Sequence, residues 1–264
     1  MSSVTEDLEL ALELADVADA ITLGRFRADD LVVETKPDLT PVSEADRAVE
    51  QALRDRLAAL RPGDQILGEE FGGDRTAAAG GRRWIVDPID GTKSYVRGIP
   101  AWATLLALEE DSEVVAGVVS APALERRWWA TRGGGAFARE GADGEQRRVQ
   151  VSGIRELDDA HVCFGGLEEW REAGRLEALV ELAGRCWRSR GYGDFWSYML
   201  VAEGAVEIGL DPQVSLWDLA APKIIVEEAG GRFTDIGGVA TADGGSAIAT
   251  NGHLHEAVRA IIDH

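Results

Sequence analysis

Leu10, Leu14, Val17 and Ile21 recur at helical intervals with Asp16 and Asp19 between them, which predicts an amphipathic helix within the opening segment. Lys36-Pro37-Asp38-Leu39-Thr40-Pro41 breaks that periodicity with two prolines and reads as an irregular loop. A second helix is expected from Ser43, because Ser43 and Asp46 stand in capping-box spacing ahead of the stripe Val49, Leu53, Leu57 and Leu60; Pro62 and Gly63 end it. Ile66-Leu67 is a short strand running into Gly68-Glu69-Glu70, and the small, glycine-bounded stretch from Gly72 to Gly81 reads as a mobile surface loop. Trp84-Ile85-Val86 is a strand ending on Asp87. The run from Leu105 to Val119 reads as further strands, and Arg127-Trp128-Trp129-Ala130-Thr131 with Ala136-Phe137-Ala138 as a hairpin about Gly133-Gly134-Gly135.

The second half alternates more regularly. Strands are expected at His161–Phe164, Val206–Ile208 and Ala247–Ala249, and helices from Leu167 to Leu182, Phe195 to Ala202, Leu216 to Ala229 and Leu254 to Ile262. Gly230-Gly231 stops the third of these helices. This is a mixed α/β pattern without internal repeat or long linker. One unit is expected over residues 1–264, with an α+β half over about 1–150 and an α/β half over about 151–264.

Charge narrows the function. The 264 residues include 27 Lys plus Arg against 47 Asp plus Glu, a formal net charge of −20. Such a surface repels a phosphate backbone, so nucleic acid is excluded as a partner. A small anionic substrate would also be repelled unless a local cation reversed the field. Only Cys163 and Cys186 occur, too few for a disulfide framework. The N-terminus shows no basic segment followed by an apolar one, and no apolar run reaches the ~18–20 residues of a membrane span, so a cytoplasmic location without membrane contact is expected.

The sharpest chemical signal is Asp87-Pro88-Ile89-Asp90-Gly91-Thr92-Lys93-Ser94. Pro88 stiffens the link between two carboxylates, Gly91 permits a tight turn, and a divalent cation between the acids would relieve their repulsion. A helix starting at Gly91 would aim the amides of Gly91, Thr92 and Lys93 at a neighbouring anion. The plainer alternative is a turn in which Asp87 and Asp90 cap backbone groups. Glu69-Glu70, Ser215-Leu216-Trp217-Asp218 and Ser43-Glu44-Ala45-Asp46 supply further acids, each of which, taken singly, reads as a loop end or a helix cap.

Together, Pro41–Asp46, Gly68-Glu69-Glu70, Trp84–Thr92 and Trp217-Asp218-Leu219-Ala220-Ala221 resemble the inositol monophosphatase family, in that order and over nearly the whole chain. The segments Thr35–Pro41, Tyr95–Ala103, Ser120–Leu124 with Arg127-Trp128-Trp129, and Tyr192–Phe195 are most similar to its actinobacterial histidinol-phosphatase branch. The resemblance implies a layered α-β-α-β-α sandwich, commonly a homodimer, that hydrolyses small phosphate monoesters with two or three Mg2+ ions per site. It implies that Glu69, Asp87 and the Ile89 carbonyl hold one ion, and that Asp90 and Asp218 complete a second site sharing Asp87. Asp46 is implied to lie near the Thr92 hydroxyl, orienting the nucleophilic water and touching a third, weaker ion.

No His or Cys competes for these positions, and hard carboxylate oxygens suit Mg2+. His253, His255 and His264 read as solvated and His161 as a strand residue without an assigned role; Trp102, Trp128 and Trp129 read as core or dimer surface. Specificity falls to the group that holds the alcohol. Histidinol phosphate carries an ammonium and an imidazole, so an acid at the pocket mouth selects it over a neutral polyol phosphate. Asp194 is the candidate, with helix capping as its alternative role; Arg190, Tyr192, Gly193 and Gln213 are candidates for the rim, and Ser94 stands where many relatives have Asn. The expected activity is Mg2+-dependent hydrolysis of histidinol phosphate. The alternatives are the same chemistry on inositol or another sugar phosphate, and a metal-binding regulatory protein without catalysis.

Overall fold

The structure, a computed structural model, describes residues 4–37, 39–74, 81–141 and 143–263. Helix α1 (Val4–Arg25) leads into a ribbon of β1 (Val33–Thr35) and β2 (Pro41–Ser43), paired antiparallel, and then into α2 (Glu44–Leu60), which Ser43 and Asp46 cap as expected. The loop expected over 36–41 is the tip of this ribbon, closed by the Lys36 amide donating to the Thr40 carbonyl at 2.8 Å; Asp38 lies outside the described residues. Most of the loop expected between Gly72 and Gly81, residues 75–80, lies outside them too, as does His264.

A seven-stranded sheet follows in sequential order: β3 (Gln65–Gly68), β4 (Arg82–Asp90), β5 (Ala103–Glu110), β6 (Glu113–Ala121), β7 (Arg126–Thr131), β8 (Gly135–Glu140) and β9 (Arg147–Arg148). Only β3 and β4 run parallel; the remaining neighbours are antiparallel. A short helix α3 (Thr92–Val96) lies between β4 and β5. Strand alternation separates the two faces of this sheet. Trp84, Val86, Leu106, Leu108 and Val118 pack against Leu10, Leu14, Val49 and Leu53 of α1 and α2, whereas Ile85, Leu105, Ala107 and Val119 face the opposite layer.

The second half adds β10 (His161–Phe164), α4 (Leu167–Glu172), α5 (Leu176–Arg185), β11 (Arg188–Arg190), α6 (Asp194–Ala202), β12 (Ile208–Asp211), α7 (Leu216–Glu228), β13 (Arg232–Thr234), β14 (Ala247–Thr250) and α8 (His255–Ile262). Its strands form a mixed sheet in the order β11-β10-β12-β14-β13. Phe195, Met199, Leu219 and Ile225 of α6 and α7 are buried between the two sheets, while Trp170, Leu179, Leu182, Val258 and Ile262 of α4, α5 and α8 cover the outer face of the second. The layers therefore run α-β-α-β-α. Among the described residues no helix is long and apolar enough to cross a membrane.

Three local expectations change. The helix expected from Leu167 to Leu182 breaks into α4 and α5 at Gly174, whose φ of +71° lies in the left-handed region that glycine tolerates. The strand expected at 206–208 is displaced to Ile208–Asp211, since Glu207 instead ties the preceding turn to β10 by accepting the His161 amide at 2.7 Å. His255 is not solvated but fully buried, its two ring nitrogens each 3.0 Å from a threonine hydroxyl, of Thr234 and Thr250, and burial lowers its pKa to about 4. His253 is exposed, and Trp102, Trp128 and Trp129 are core.

Gly117 sets how closely α7 lies on β6, because a Cβ there would stand 2.6 Å from the Ile224 Cγ2 and 3.1 Å from the Ala221 backbone. Gly117→Ala is expected to lower unfolding stability by about 1–3 kcal/mol, read from the urea midpoint. An unchanged midpoint would contradict this close approach.

Candidate active site

Asp87 and Asp90 are three residues apart, a spacing that in a regular strand puts side chains on opposite faces. Here Asp87 pairs with Leu105 and Asp90 with Ala103, so β4 carries one more residue than β5 across this step. That bulge returns Asp90 to the face of Asp87, the one turned toward α7. Local bonds fix the distortion: the Thr104 hydroxyl donates to the Pro88 carbonyl at 2.7 Å, and the Ile89 amide donates to Asp87 Oδ1 at 3.0 Å. Gly91 then turns with φ +82°, where a Cβ would meet the Ala101 carbonyl at 2.9 Å, and α3 begins beside the two acids.

Asp218 and Asp46 arrive by a common device. Each is the third residue of a helix and accepts the backbone N–H of its N-cap serine at 2.8 Å, Ser215 for Asp218 and Ser43 for Asp46. The capping role seen in the sequence is therefore real, and it also orients the acids. Ligand oxygens of Asp87, Asp90 and Asp218 lie within 4.8 Å of one another. Asp46 Oδ1 is 3.2 Å from the Thr92 hydroxyl, which is also 2.8 Å from the Ile89 carbonyl, so the expected Asp46 and Thr92 pair is brought together.

Asp87, Asp90, Thr92 and Asp218 border a cleft of about 800 Å³; Asp46 is fully buried and does not line it. Glu69, Asp87, Ile89, Asp90, Gly91, Thr92, Lys93, Ser94 and Asp218 line it together with Tyr192, Gly193, Asp194 and Gln213, and a Cβ on Gly91 would meet Asp194 Oδ2 at 3.2 Å. Arg190 does not join them: it ends the edge strand β11, and its exposed guanidinium donates to the Ser189 carbonyl at 2.7 Å. Glu69 and Glu70 both receive Lys36, at 2.7 and 2.6 Å. The sequence reading gave Lys36 no role and passed over Glu168, Glu169, Glu172 and Asp211, which also face the cleft. Placing β12 correctly would have found Asp211, since it closes a strand at the edge where ligands of such sheets collect.

Nine of the described lining residues are acids and one, Lys93, is basic. Burial, followed by repulsion from Glu69, Asp90 and then Asp218, raises the Asp87 pKa well above the carboxylate range; burial and then Asp194 and Asp218 do the same for Asp90. Burial chiefly lifts Asp218 to about 7, Asp194 to about 6 and Asp211 to about 8, the last while it accepts the Tyr198 hydroxyl at 2.5 Å. Such a set holds protons unless a cation replaces them. With oxygen donors alone converging, it fits a hard divalent ion.

A sequence model described as the inositol monophosphatase family matches residues 3–264. The chain belongs to the inositol monophosphatase family. It is 58% identical to the histidinol-phosphatase of Mycobacterium tuberculosis over 96% of each chain, and 52% identical to that of Streptomyces coelicolor over 97% of this chain and 96% of the other. Among solved structures, Thermotoga maritima IMPase superposes with a TM-score of 0.85 at 30% identity, covering 98% of this chain and 97% of its own. Members of the inositol monophosphatase family are metal-dependent, in keeping with the clustered acids.

A carboxyl that binds its proton more tightly when folded adds stability below its unfolded pKa and loses that contribution as pH rises through the folded value. For Asp218, at about 7, the metal-free protein should therefore lose stability as pH rises from 5 to 8. The gain in melting temperature on adding Mg2+ should widen over that interval, as binding removes the repulsion. A gain independent of pH in a thermal-shift series would count against this coupling.

Proposed function

We infer that this protein is a phosphomonoesterase that hydrolyses L-histidinol phosphate to L-histidinol and phosphate in histidine biosynthesis, using Mg2+. The observation that carries the reading is the 58% identity, across 96% of both chains, to a histidinol-phosphatase. The acids of the cleft suit it, because the substrate offers a cationic amine beside its dianionic ester.

In this reading Glu69, Asp87 and the Ile89 carbonyl would hold one Mg2+, Asp90 and Asp218 with Asp87 would hold a second, and Asp46 would serve a third, weaker site. Bound Mg2+ supplies neutralisation of the phosphate oxygens and lowers the proton affinity of a water. The Thr92 hydroxyl, 3.2 Å from Asp46 Oδ1, would orient the attacking water, and Asp46, whose proton affinity is raised first by burial, would take up its proton. Gly91, Thr92, Lys93 and Ser94 would border the phosphoryl group, the Ser94 amide itself being taken by the Gly91 carbonyl at 2.8 Å. Tyr192, Gly193, Asp194 and Gln213 border the leaving alcohol, where Asp194 faces the ammonium. Residues 1–264 work as one unit, as a homodimer in the cytoplasm, on a small phosphorylated substrate.

Phosphate release from histidinol phosphate and inositol 1-phosphate, measured side by side, should favour the former by at least about a hundredfold in kcat/KM; comparable turnover would overturn the substrate assignment. Asp90→Asn should reduce kcat by about a hundredfold or more, and excess chelator should abolish turnover. Activity surviving either treatment contradicts the metal mechanism. Asp194 has φ +48°, a conformation Asn tolerates as Asp does, so Asp194→Asn isolates the charge. At saturating Mg2+ it should raise KM for histidinol phosphate by about tenfold more than KM for inositol phosphate.

A further inference from the structure

Glu50 lies on α2 one turn beyond Asp46, is fully buried, and has no part in the chemistry above. Its Oε2 accepts the Glu70 amide at 2.7 Å and its Oε1 the Phe71 amide at 3.1 Å. Arg54 donates Nε to Oε1 at 2.8 Å, and its Nη2 also reaches the Gly72 carbonyl. These donors and acceptors belong to the turn that follows β3, where the Gly68 amide donates to the Gly72 carbonyl at 3.1 Å and the Glu69 amide to the Val86 carbonyl at 3.2 Å. Gly68 rests on the buried carboxylate so closely that a Cβ would stand 2.0 Å from Oε1. The Gly-Glu-Glu segment thus wraps a buried anion supplied by α2, while Glu69 lines the cleft.

We propose that Glu50 is a positioning residue for the metal site, holding the turn over 68–72 so that Glu69 enters the cleft already placed. The role rests on the reading of Glu69 as a metal ligand. Only a carboxylate presents acceptors on both oxygens; an amide at this position would set its own N–H against one of the two backbone donors. The turn would then loosen, and ordering Glu69 would be charged against cation binding.

Mn2+ titrated into the metal-free protein, followed through the free-ion EPR signal, reads this without catalysis. Glu69→Gln and Glu50→Gln should each weaken Mn2+ binding by about tenfold or more. In turnover, Glu50→Gln should raise the Mg2+ concentration for half-maximal rate by a like factor, with KM for the ester at saturating Mg2+ changed by less than about twofold. A merely structural role would lower the melting temperature and leave Mn2+ affinity at the parent value. Parent-like Mn2+ binding by Glu50→Gln, with Glu69→Gln weakened, overturns the proposal. Parent-like binding by both sinks the metal reading of Glu69 instead. Should Glu50→Gln show no cooperative melting, Arg54→Met, which removes only the clamp on Glu50 and Gly72, decides by the same criterion: Mn2+ binding weakened by about threefold supports the role, and unchanged binding ends it.

Discussion

Carboxylates repel one another most where water is scarce, and this chain gathers them on purpose around one cleft. Folding by hydrophobic burial alone would scatter them to solvent. What keeps them together is backbone: a bulge in β4 that puts Asp87 and Asp90 on one face, and two helix starts that grip Asp218 and Asp46 through their N-cap serines. The packing of α7 on the seven-stranded sheet, tightened at Gly117, brings the Asp218 helix to the bulge. Asp87 is held by the Ile89 amide, Asp218 and Asp46 by their N-cap serines, and Asp90 by the distant Phe195 amide. Affinity for the ion then comes from relief of a repulsion already built in.

The main elements were legible because they are strongly patterned: α1, α2, β4 to β8 and α7 lie where periodicity and caps put them, while their layering came from the family resemblance. Several short elements were not legible. The ribbon β1–β2, the edge strand β11 and the split between α4 and α5 depend on tertiary pairing and on one left-handed glycine. The metal-side acids were readable because their motifs are local and recur in a known order. The wall formed by Glu168, Glu169, Glu172 and Asp211 was not, since those residues carry no motif and meet only after β10 and β12 align in parallel. His255 was misread for a similar reason: a histidine starting a helix looks exposed until Thr234 and Thr250 are seen to enclose it.

The charge asymmetry of the cleft bears on what enters it. A phosphate dianion meets nine acids and a single lysine among the described lining residues, so cations must precede or accompany it. A substrate with its own ammonium carries part of that compensation, which a neutral polyol phosphate does not. In the proposed function the same wall favours the ester that carries an ammonium.

The Phe195 amide, first after the left-handed Asp194, donates to Asp90 Oδ2 at 2.6 Å and joins the segment proposed to border the leaving alcohol to the paired acids of β4. Retargeting this scaffold to a new ester by rebuilding residues 191–194 would therefore disturb cation affinity at the same time. In the proposed function, substrate choice and ion choice are thereby coupled, and a library that varies one must screen for both.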